Sequence, residues 1–302
     1  MAQAYAKVLA AMELDFAVIG RGAASAAAFR EATGIPVVEG GIAAALAASP
    51  APARAIVATG IESLSEITLE LLRHGTSALL VEKPVGLTAA EVEKVAAYVL
   101  DQQAEVFVAY NRRFFASVAK ARDIIAEDGG VQSISFEFTE LADRVAKQDR
   151  LASVKERWLV ANSTHVIDLA LHLAGAPKDW QAFHCGALEW HPSAAVFSGA
   201  GTTDGGTLFS YSANWNGPGR WGLEIVTGRR RLTLRPMEKL FVTEEALKPP
   251  VEHPLDAKLD EQFKPGLYAQ VQAFLHTPNV RLCGIQEHSE MMHVYERIGG
   301  YP

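Results

Sequence analysis

The chain has 302 residues, of which 49% are hydrophobic and 21% charged, and its formal net charge is −7. This length and composition are those of a globular protein with room for two domains. The acidic balance argues against a broad nucleic-acid interface, and no apolar run in the sequence reaches the roughly 18 residues that a membrane span requires.

The N-terminus carries Lys7, Glu13 and Asp15 within its apolar pattern and does not resemble a signal peptide. Cys185 and Cys283 lie far apart in the sequence and lack the spacing of metal ligands, so we predict no disulfide framework and no metal site. Two free thiols favour a cytoplasmic protein.

Helix-like and strand-like segments alternate over the first 110 residues. We predict helices at 2–12, 23–33, 42–48, 64–74 and 88–102, and strands at 15–20, 35–38, 55–59, 78–81 and 104–110. Such alternation is typical of βαβ units, so the fold class predicted for this half is α/β with a parallel sheet.

The pattern changes after residue 110. The period-two alternation at 131–139 predicts a strand with one buried face, and further strands are predicted at 180–190, 206–215, 221–228 and 230–236. Helices are predicted at 117–127, 162–174, 266–275 and 285–298, a mobile loop at 141–157, another loop at 244–266, and an exposed turn at Arg229-Arg230-Arg231. The second half is therefore predicted as α+β with one large, mostly antiparallel sheet.

One buried strand ends in a charged motif. The run Ala78–Val81 lacks polar alternation, as a strand buried on both faces does, and Glu82-Lys83-Pro84 follows it. Ligands of open α/β sheets bind at the carboxyl ends of strands, which is where this lysine lies. Thr88 and Glu91 form a predicted capping box for the next helix. From these residues alone, an exposed Glu-Lys pair remains an equal alternative.

Glu82-Lys83-Pro84, followed about one helix later by Tyr110-Asn111-Arg112-Arg113-Phe114, resembles the glucose-fructose oxidoreductase/inositol dehydrogenase/MocA (Gfo/Idh/MocA) family. The resemblance runs across nearly the whole chain. It implies a Rossmann-like dinucleotide-binding domain at residues 1–112. It also implies an α+β substrate-binding domain at residues 113–302, whose open sheet face pairs subunits into a homodimer or homotetramer.

The resemblance further implies an NAD(P)-dependent oxidoreductase. Hydride would pass between the nicotinamide and a hydroxyl or keto carbon of a sugar, cyclitol or sugar derivative. Lys83 and His165 take the positions of the family's acid/base residues. Ala161, however, stands where members often carry a relay aspartate, and Ser163 where they carry a glycine. An isolated His-x-x-Asp pattern is, by itself, more often a satisfied core histidine.

Further site residues follow from the same comparison. The predicted substrate-binding residues are Tyr110, Arg112, Trp158, Asn162 and Asp168, and the predicted cofactor-binding residues are Arg21, Thr59, Gly60, Glu82, Lys83 and Asn111. Arg21 follows the strand after which NAD-selective domains place an acidic residue, so NADP is slightly favoured over NAD. An exposed arginine in a turn is an equal alternative.

A dinucleotide-binding domain should open with a strand and Gly-x-Gly-x-x-Gly, and this sequence begins at what resembles the end of that loop. An internal start, a truncated gene and a loss from the record are the three explanations, and we favour an artefact of the start. Without its central strand, a doubly wound sheet would expose strand edges or contain a slot. Two other functions stay open: a non-catalytic relative that has lost cofactor binding, and an NAD-assisted glycosidase.

Overall fold

The computed structural model describes residues 1–276 and 281–301 and divides into two compact units. The first unit comprises Met1–Ala109 and Leu259–Ser289, and the second comprises Tyr110–Lys258 and Glu290–Pro302. The chain enters the second unit close to the predicted boundary at residue 112. Residues 259–289, which were predicted in the second domain, instead belong to the first unit.

The elements are numbered in chain order. The strands are β1 Val18–Ile19, β2 Val37–Val38, β3 Arg54–Val57, β4 Ala78–Val81, β5 Glu105–Val108, β6 Val131–Glu137, β7 Pro177–Cys185, β8 Val196–Thr203, β9 Leu208–Asn214, β10 Gly222–Thr227, β11 Arg231–Leu234, β12 Phe241–Thr243, β13 Val251–Glu252 and β14 Cys283–Gly284. The helices are α1 Ala2–Ala11, α2 Ala23–Thr33, α3 Gly41–Ala48, α4 Leu64–Arg73, α5 Ala89–Gln102, α6 Ala116–Glu127, α7 Ala142–Ala146, α8 Ala152–Glu156, α9 Thr164–Ala174, α10 Lys258–Gln262, α11 Leu267–Leu275 and α12 Ile285–Gly299.

The first unit contains two separate sheets. Strands β3, β4 and β5 are parallel neighbours, and β14 pairs antiparallel with β5, which gives the order β14-β5-β4-β3. Strands β1 and β2 form a parallel pair of their own. Among the described residues β1 pairs only with β2, and β3 pairs only with β4. Each of the two strands therefore has one unpaired edge, as expected for a doubly wound sheet without its central strand.

Two pieces of the chain that are distant in sequence share the core of the first unit. Tyr5 and Val8 of α1 pack with Leu80 of β4 and with Leu267 and Val271 of α11. Burial of these apolar side chains holds α11 against α1, and β14 extends the sheet at β5. This packing explains why residues 259–289 belong to the first unit.

One eight-stranded sheet dominates the second unit. Its order is β13-β12-β11-β10-β6-β9-β8-β7, and all neighbours are antiparallel except β6 and β9. The large, mostly antiparallel sheet predicted from the sequence is thereby confirmed. Ile134, Phe136 and Phe138 are buried on alternate positions, as the period-two pattern predicted, and α9 packs against β6 on this side of the sheet.

Several elements were not predicted. Residues 141–157, expected as an irregular loop, form the short helices α7 and α8, and a π-helical turn at Leu159–Ser163 precedes α9. Strand β8 was missed because its small residues hide the alternation. A Cβ on Gly199 would lie 2.4 Å from the Tyr211 ring, so the close approach of β8 and β9 requires glycine there.

Within residues 1–276 and 281–301, no helix combines the length and the apolar character needed to cross a bilayer.

The turn between β10 and β11 carries the arginine run, and Arg230 ties it to the end of α6. Arg230 Nε and Nη2 donate to both carboxylate oxygens of Asp128, at 2.9 and 2.6 Å, and Nη2 also donates to Glu127 Oε2 at 2.8 Å. Thr227 Oγ1 donates to Asp128 as well. These hydrogen bonds, the one from Arg230 above all, lower the pKa of Asp128 from 3.8 to about 2.

We therefore expect Arg230→Gln to lower the free energy of unfolding at neutral pH. Because the folded-state pKa of Asp128 is depressed, its stabilising effect is complete above pH 3.8 and is lost as the pH falls toward 2. Urea unfolding from pH 7 to pH 3 should show the gap between wild type and variant narrowing at the acid end. Arg229→Gln, which retains the Arg230 contacts, is the control. A gap that is constant with pH would contradict this account.

Candidate functional site

The turn that follows β4 holds Lys83 in a fixed place. Glu82 N–H donates to Val57 O at 2.9 Å, and Val85 N–H donates back to Glu82 O at 3.2 Å. Val85 has a φ of +69°, which a β-branched residue rarely adopts, and it is fully buried. Lys83 itself is only 7% exposed. Strained backbone beside a buried lysine is typical of a functional site.

Two neighbouring helices make hydrogen bonds at or next to the turn that follows β4. His288 of α12 lies 2.7 Å through Nε2 from Pro84 O, and since a carbonyl only accepts, Nε2 must donate. At the start of α5, Glu91 N–H donates to Thr88 Oγ1, and the Glu91 carboxylate accepts from Thr88 N–H. The capping box predicted from the sequence is confirmed.

Tyr5 of α1 is a site residue that the sequence analysis did not identify. Its hydroxyl donates to Glu82 Oε1 at 2.7 Å, 77 positions along the chain. Burial raises the pKa of Glu82 above its ordinary value, while the Tyr5 hydrogen bond and the Lys83 charge pull it down. Burial and the neighbouring Glu82 raise the pKa of Tyr5. Tyr5 therefore stabilises a carboxylate that would otherwise be costly to bury.

The predicted cofactor residues of the first unit follow the ends of three strands. Arg21 is exposed, two residues beyond β1, and Thr59 and Gly60 follow β3. Glu82 and Lys83 follow β4. Polar groups therefore follow the ends of β1, β3 and β4, and the described residues contain no Gly-x-Gly-x-x-Gly turn.

In the second unit, a buried ion pair organises the residues around His165. Arg113 Nε and Nη2 donate to the two carboxylate oxygens of Asp168, at 2.8 and 2.5 Å, and both side chains are 2% exposed. Arg113 also lies over the Tyr110 ring, which in turn meets the His165 ring edge-on at 5.9 Å. Asp168, predicted to bind substrate, is here engaged by Arg113, so the structure gives it a positioning contact.

A pocket of about 300 Å³ opens in the second unit beside this cluster. Two residues predicted to bind substrate, Trp158 and Asn162, line it together with Trp221, whose ring centroid lies 6.3 Å from that of His165. Arg112, also predicted to bind substrate, lies over Trp221 at 4.8 Å and donates to Asn111 Oδ1 at 3.5 Å.

Glu140 is the second site residue that sequence analysis missed. It is 7% exposed, lines the same pocket, and accepts hydrogen bonds from Asn162 Nδ2 at 3.0 and 3.2 Å and from Ser163 Oγ at 2.7 Å. One indication was available: Glu140 continues the buried parity of Phe136 and Phe138, where a carboxylate is rare unless it has partners.

The Tyr5–Glu82 contact predicts a pH-dependent effect of Tyr5→Phe. The variant removes the hydroxyl that donates a hydrogen bond to Glu82. Because this hydrogen bond lowers the folded-state pKa of Glu82, its loss raises that pKa further above the ordinary value. We expect a loss of roughly 1–3 kcal/mol in the free energy of unfolding at pH 8, and a loss that becomes smaller as the pH is lowered to 5 and Glu82, with its raised pKa, gains protons.

Chemical denaturation of both proteins at the two pH values is the measurement. Tyr268→Phe is the matched control, since within the described ranges the Tyr268 hydroxyl makes no hydrogen bond. An equal loss at both pH values would show that the Tyr5 hydroxyl does not act through Glu82.

Residues 2–110 match the model of the Gfo/Idh/MocA oxidoreductase family, described as having an NAD-binding Rossmann fold. No curated protein matches the chain.

Solved structures share the fold over nearly the whole chain. UDP-N-acetylglucosamine 3-dehydrogenase from Acidithiobacillus ferrooxidans is 17% identical, with a TM-score of 0.76 over 98% of this chain and 92% of that one. Levoglucosan dehydrogenase in complex with NADH and levoglucosan is 18% identical, with a TM-score of 0.76 over 99% and 93%. An oxidoreductase from Agrobacterium radiobacter, in complex with NAD+, L-tartaric acid and magnesium, is 13% identical, with a TM-score of 0.79 over 98% and 91%. Residues 2–110 thus match the NAD-binding Rossmann domain of this oxidoreductase family, and nearly the whole chain shares its fold with these dehydrogenase structures.

Proposed function

We propose that the protein is an NAD(P)-dependent oxidoreductase that transfers hydride between a nicotinamide and a hydroxyl or keto carbon of a carbohydrate-like substrate. The observation that carries this proposal is the buried Lys83, fixed in a strained turn at the carboxyl end of β4 in a domain of an NAD-binding family. A lysine in such a place is positioned to bind ligand rather than solvent.

The acid/base work is proposed for Lys83 and His165. The Lys83 ammonium has three donors and can hold the oxygen of the reacting carbon, while the bound nicotinamide supplies or accepts the hydride. The His165 imidazole, oriented by Tyr110 and Trp221, can exchange the proton of that oxygen. Since Ala161 carries no carboxyl group, no relay aspartate assists His165 from this position.

A carbohydrate-like substrate is supported by the second-unit pocket. Trp158 and Trp221 offer the aromatic faces against which sugars stack, and Glu140 and Asn162 offer hydrogen-bonding groups. Two proteins of the same fold carry names that include sugar substrates, UDP-N-acetylglucosamine and levoglucosan.

For the cofactor, we propose NADP ahead of NAD. Arg21 is exposed beyond β1, near the start of α2, and within the described residues its guanidinium makes no hydrogen bond or ion pair. A 2′-phosphate on the adenosine ribose would give this charge a partner.

A second candidate function is that of a non-catalytic relative. It is favoured by Ala161, because this residue offers no carboxyl group at the position where the resemblance expects the relay aspartate. Cofactor binding separates the two candidates.

We also propose that the open face of the large sheet pairs subunits. Ala200, Ser210 and Ser135 lie side by side across β8, β9 and β6, and their small, exposed side chains allow another sheet to approach closely. Leu208 and Phe183 remain 58% and 66% exposed on neighbouring strand positions. Exposed apolar groups on a flat face are typical of a protein interface.

Titration with NADPH and NADH tests the enzymatic proposal. We expect both to bind, NADPH more tightly, with stabilisation of about 2.7 kcal/mol at a ligand concentration of 100 times Kd. Arg21→Gln should narrow the preference between the two cofactors. Lys83→Met should lower turnover of cyclitol or aldose substrates by at least about 100-fold at saturating cofactor. Turnover that survives in Lys83→Met would remove Lys83 from the mechanism, and absence of binding would favour the non-catalytic relative.

The sheet-face proposal predicts that Ala200→Arg converts an oligomer into a monomer, because the new charge would be buried between subunits. Sedimentation equilibrium measures the mass directly. Leu100→Arg is the control, since Leu100 is also exposed, at 67%, but lies on α5. A wild-type monomer, or an oligomer unaffected by Ala200→Arg, would refute the interface.

A further inference from the structure

The second-unit pocket carries charge that the proposed hydride transfer does not use. Arg144 of α7 and Arg220, in the loop before β10, line it together with Glu140, Asn162 and Trp221. Both arginines are exposed, and their guanidinium groups make no hydrogen bond or ion pair with residues 1–276 or 281–301. The chain has a net charge of −7, so two unneutralised cations at one pocket are a local feature.

The carboxylate of the pocket has a different setting. Glu140 is almost fully buried, and Asn162 and Ser163 donate to it at 2.7 to 3.2 Å, which fixes the orientation of its two oxygens. The carboxylate lines the pocket, and because a carboxylate oxygen accepts more than one hydrogen bond, a hydroxyl of a bound compound can be added to the contacts that Glu140 makes. Glu140 can thus recognise hydroxyls, whereas the two guanidinium groups suit an anion.

We infer that this pocket binds a polyhydroxylated compound bearing one anionic group, with the anion held by Arg144 and Arg220 and the hydroxyls held by Glu140. That this compound is the substrate rests on the proposed function, because Trp221 connects the pocket to His165. The anionic group is a carboxylate, as in a sugar acid, or a phosphate, as in a sugar phosphate. Glu140 is a positioning residue for hydroxyls in either case.

Calorimetric titration without cofactor tests the assignment with matched pairs of probes. The pairs are D-glucitol with D-gluconate, xylitol with D-xylonate, and D-glucose with D-glucose 6-phosphate. We expect the anionic member of at least one pair to bind about fivefold to tenfold more tightly than the neutral member, and the advantage to shrink in high salt. The pair that shows the advantage distinguishes carboxylate from phosphate.

Variants of the pocket residues test which side chains cause the preference for the anionic member of a pair. Arg144→Gln combined with Arg220→Gln should abolish the preference for the anion while leaving the affinity for the neutral member unchanged. Arg150 lies between α7 and α8, is exposed and does not line the pocket. Arg150→Gln should therefore keep the preference for the anionic member of a pair. Glu140→Gln should instead weaken binding of both members of a pair, and its melting curve checks that it folds.

Each outcome decides the inference. No anionic advantage in any pair, including no binding at all, overturns it, and so does an advantage that persists in the double arginine variant. If the advantage is present but NADPH and NADH fail to bind, the pocket assignment stands and the oxidoreductase function falls. If both cofactors bind and no pair discriminates, the oxidoreductase proposal stands and the anion site falls.

Discussion

The buried turn at Glu82–Val85 is the constraint on which the first unit depends. All four residues of β4 are buried, so the chain must leave the sheet at a point where no solvent compensates its polar groups. Three separate pieces of chain supply the partners: α1 through Tyr5, α12 through His288, and β3 through Val57. The place of Lys83 is therefore determined by long-range contacts rather than by its own sequence neighbours.

A similar rule operates in the second unit, where buried charge occurs together with its partners. Arg113 and Asp168 form a bidentate pair, and Glu140 is held by an amide and a hydroxyl. Removing one partner of such a pair leaves an uncompensated charge, which is costly at low dielectric. Because these contacts orient Tyr110, Asn162 and Ser163, the ring of His165 and the wall of the pocket share one rigid framework.

The two units differ in whether their predicted strands join into one continuous sheet. Every predicted strand of the first unit is present, yet β1 and β3 do not belong to one sheet. The polar residues Thr59, Glu82 and Lys83 nevertheless follow the ends of β3 and β4, as predicted from the sequence. In the second unit the sheet is continuous, and its two faces have distinct surroundings: α9 covers one, and exposed small residues line the other.

The sequence by itself determined the elements whose stabilising contacts are local. The alternation of strands and helices, the buried β4, the capping box of α5 and the buried parity of β6 could all be predicted, because hydrophobic periodicity and caps involve residues a few positions apart. It also indicated Lys83 and His165, although their roles stay predictions.

Only the tertiary structure decided the rest. Tyr5 meets Glu82 across 77 positions, Arg113 meets Asp168 across 55, and Asn162 meets Glu140 across 22. The same holds for residues 259–289, whose apolar face is shared with α1 at the other end of the chain. No local pattern encodes which distant partner satisfies a buried polar group or an apolar face, because that choice is made when the whole core is packed.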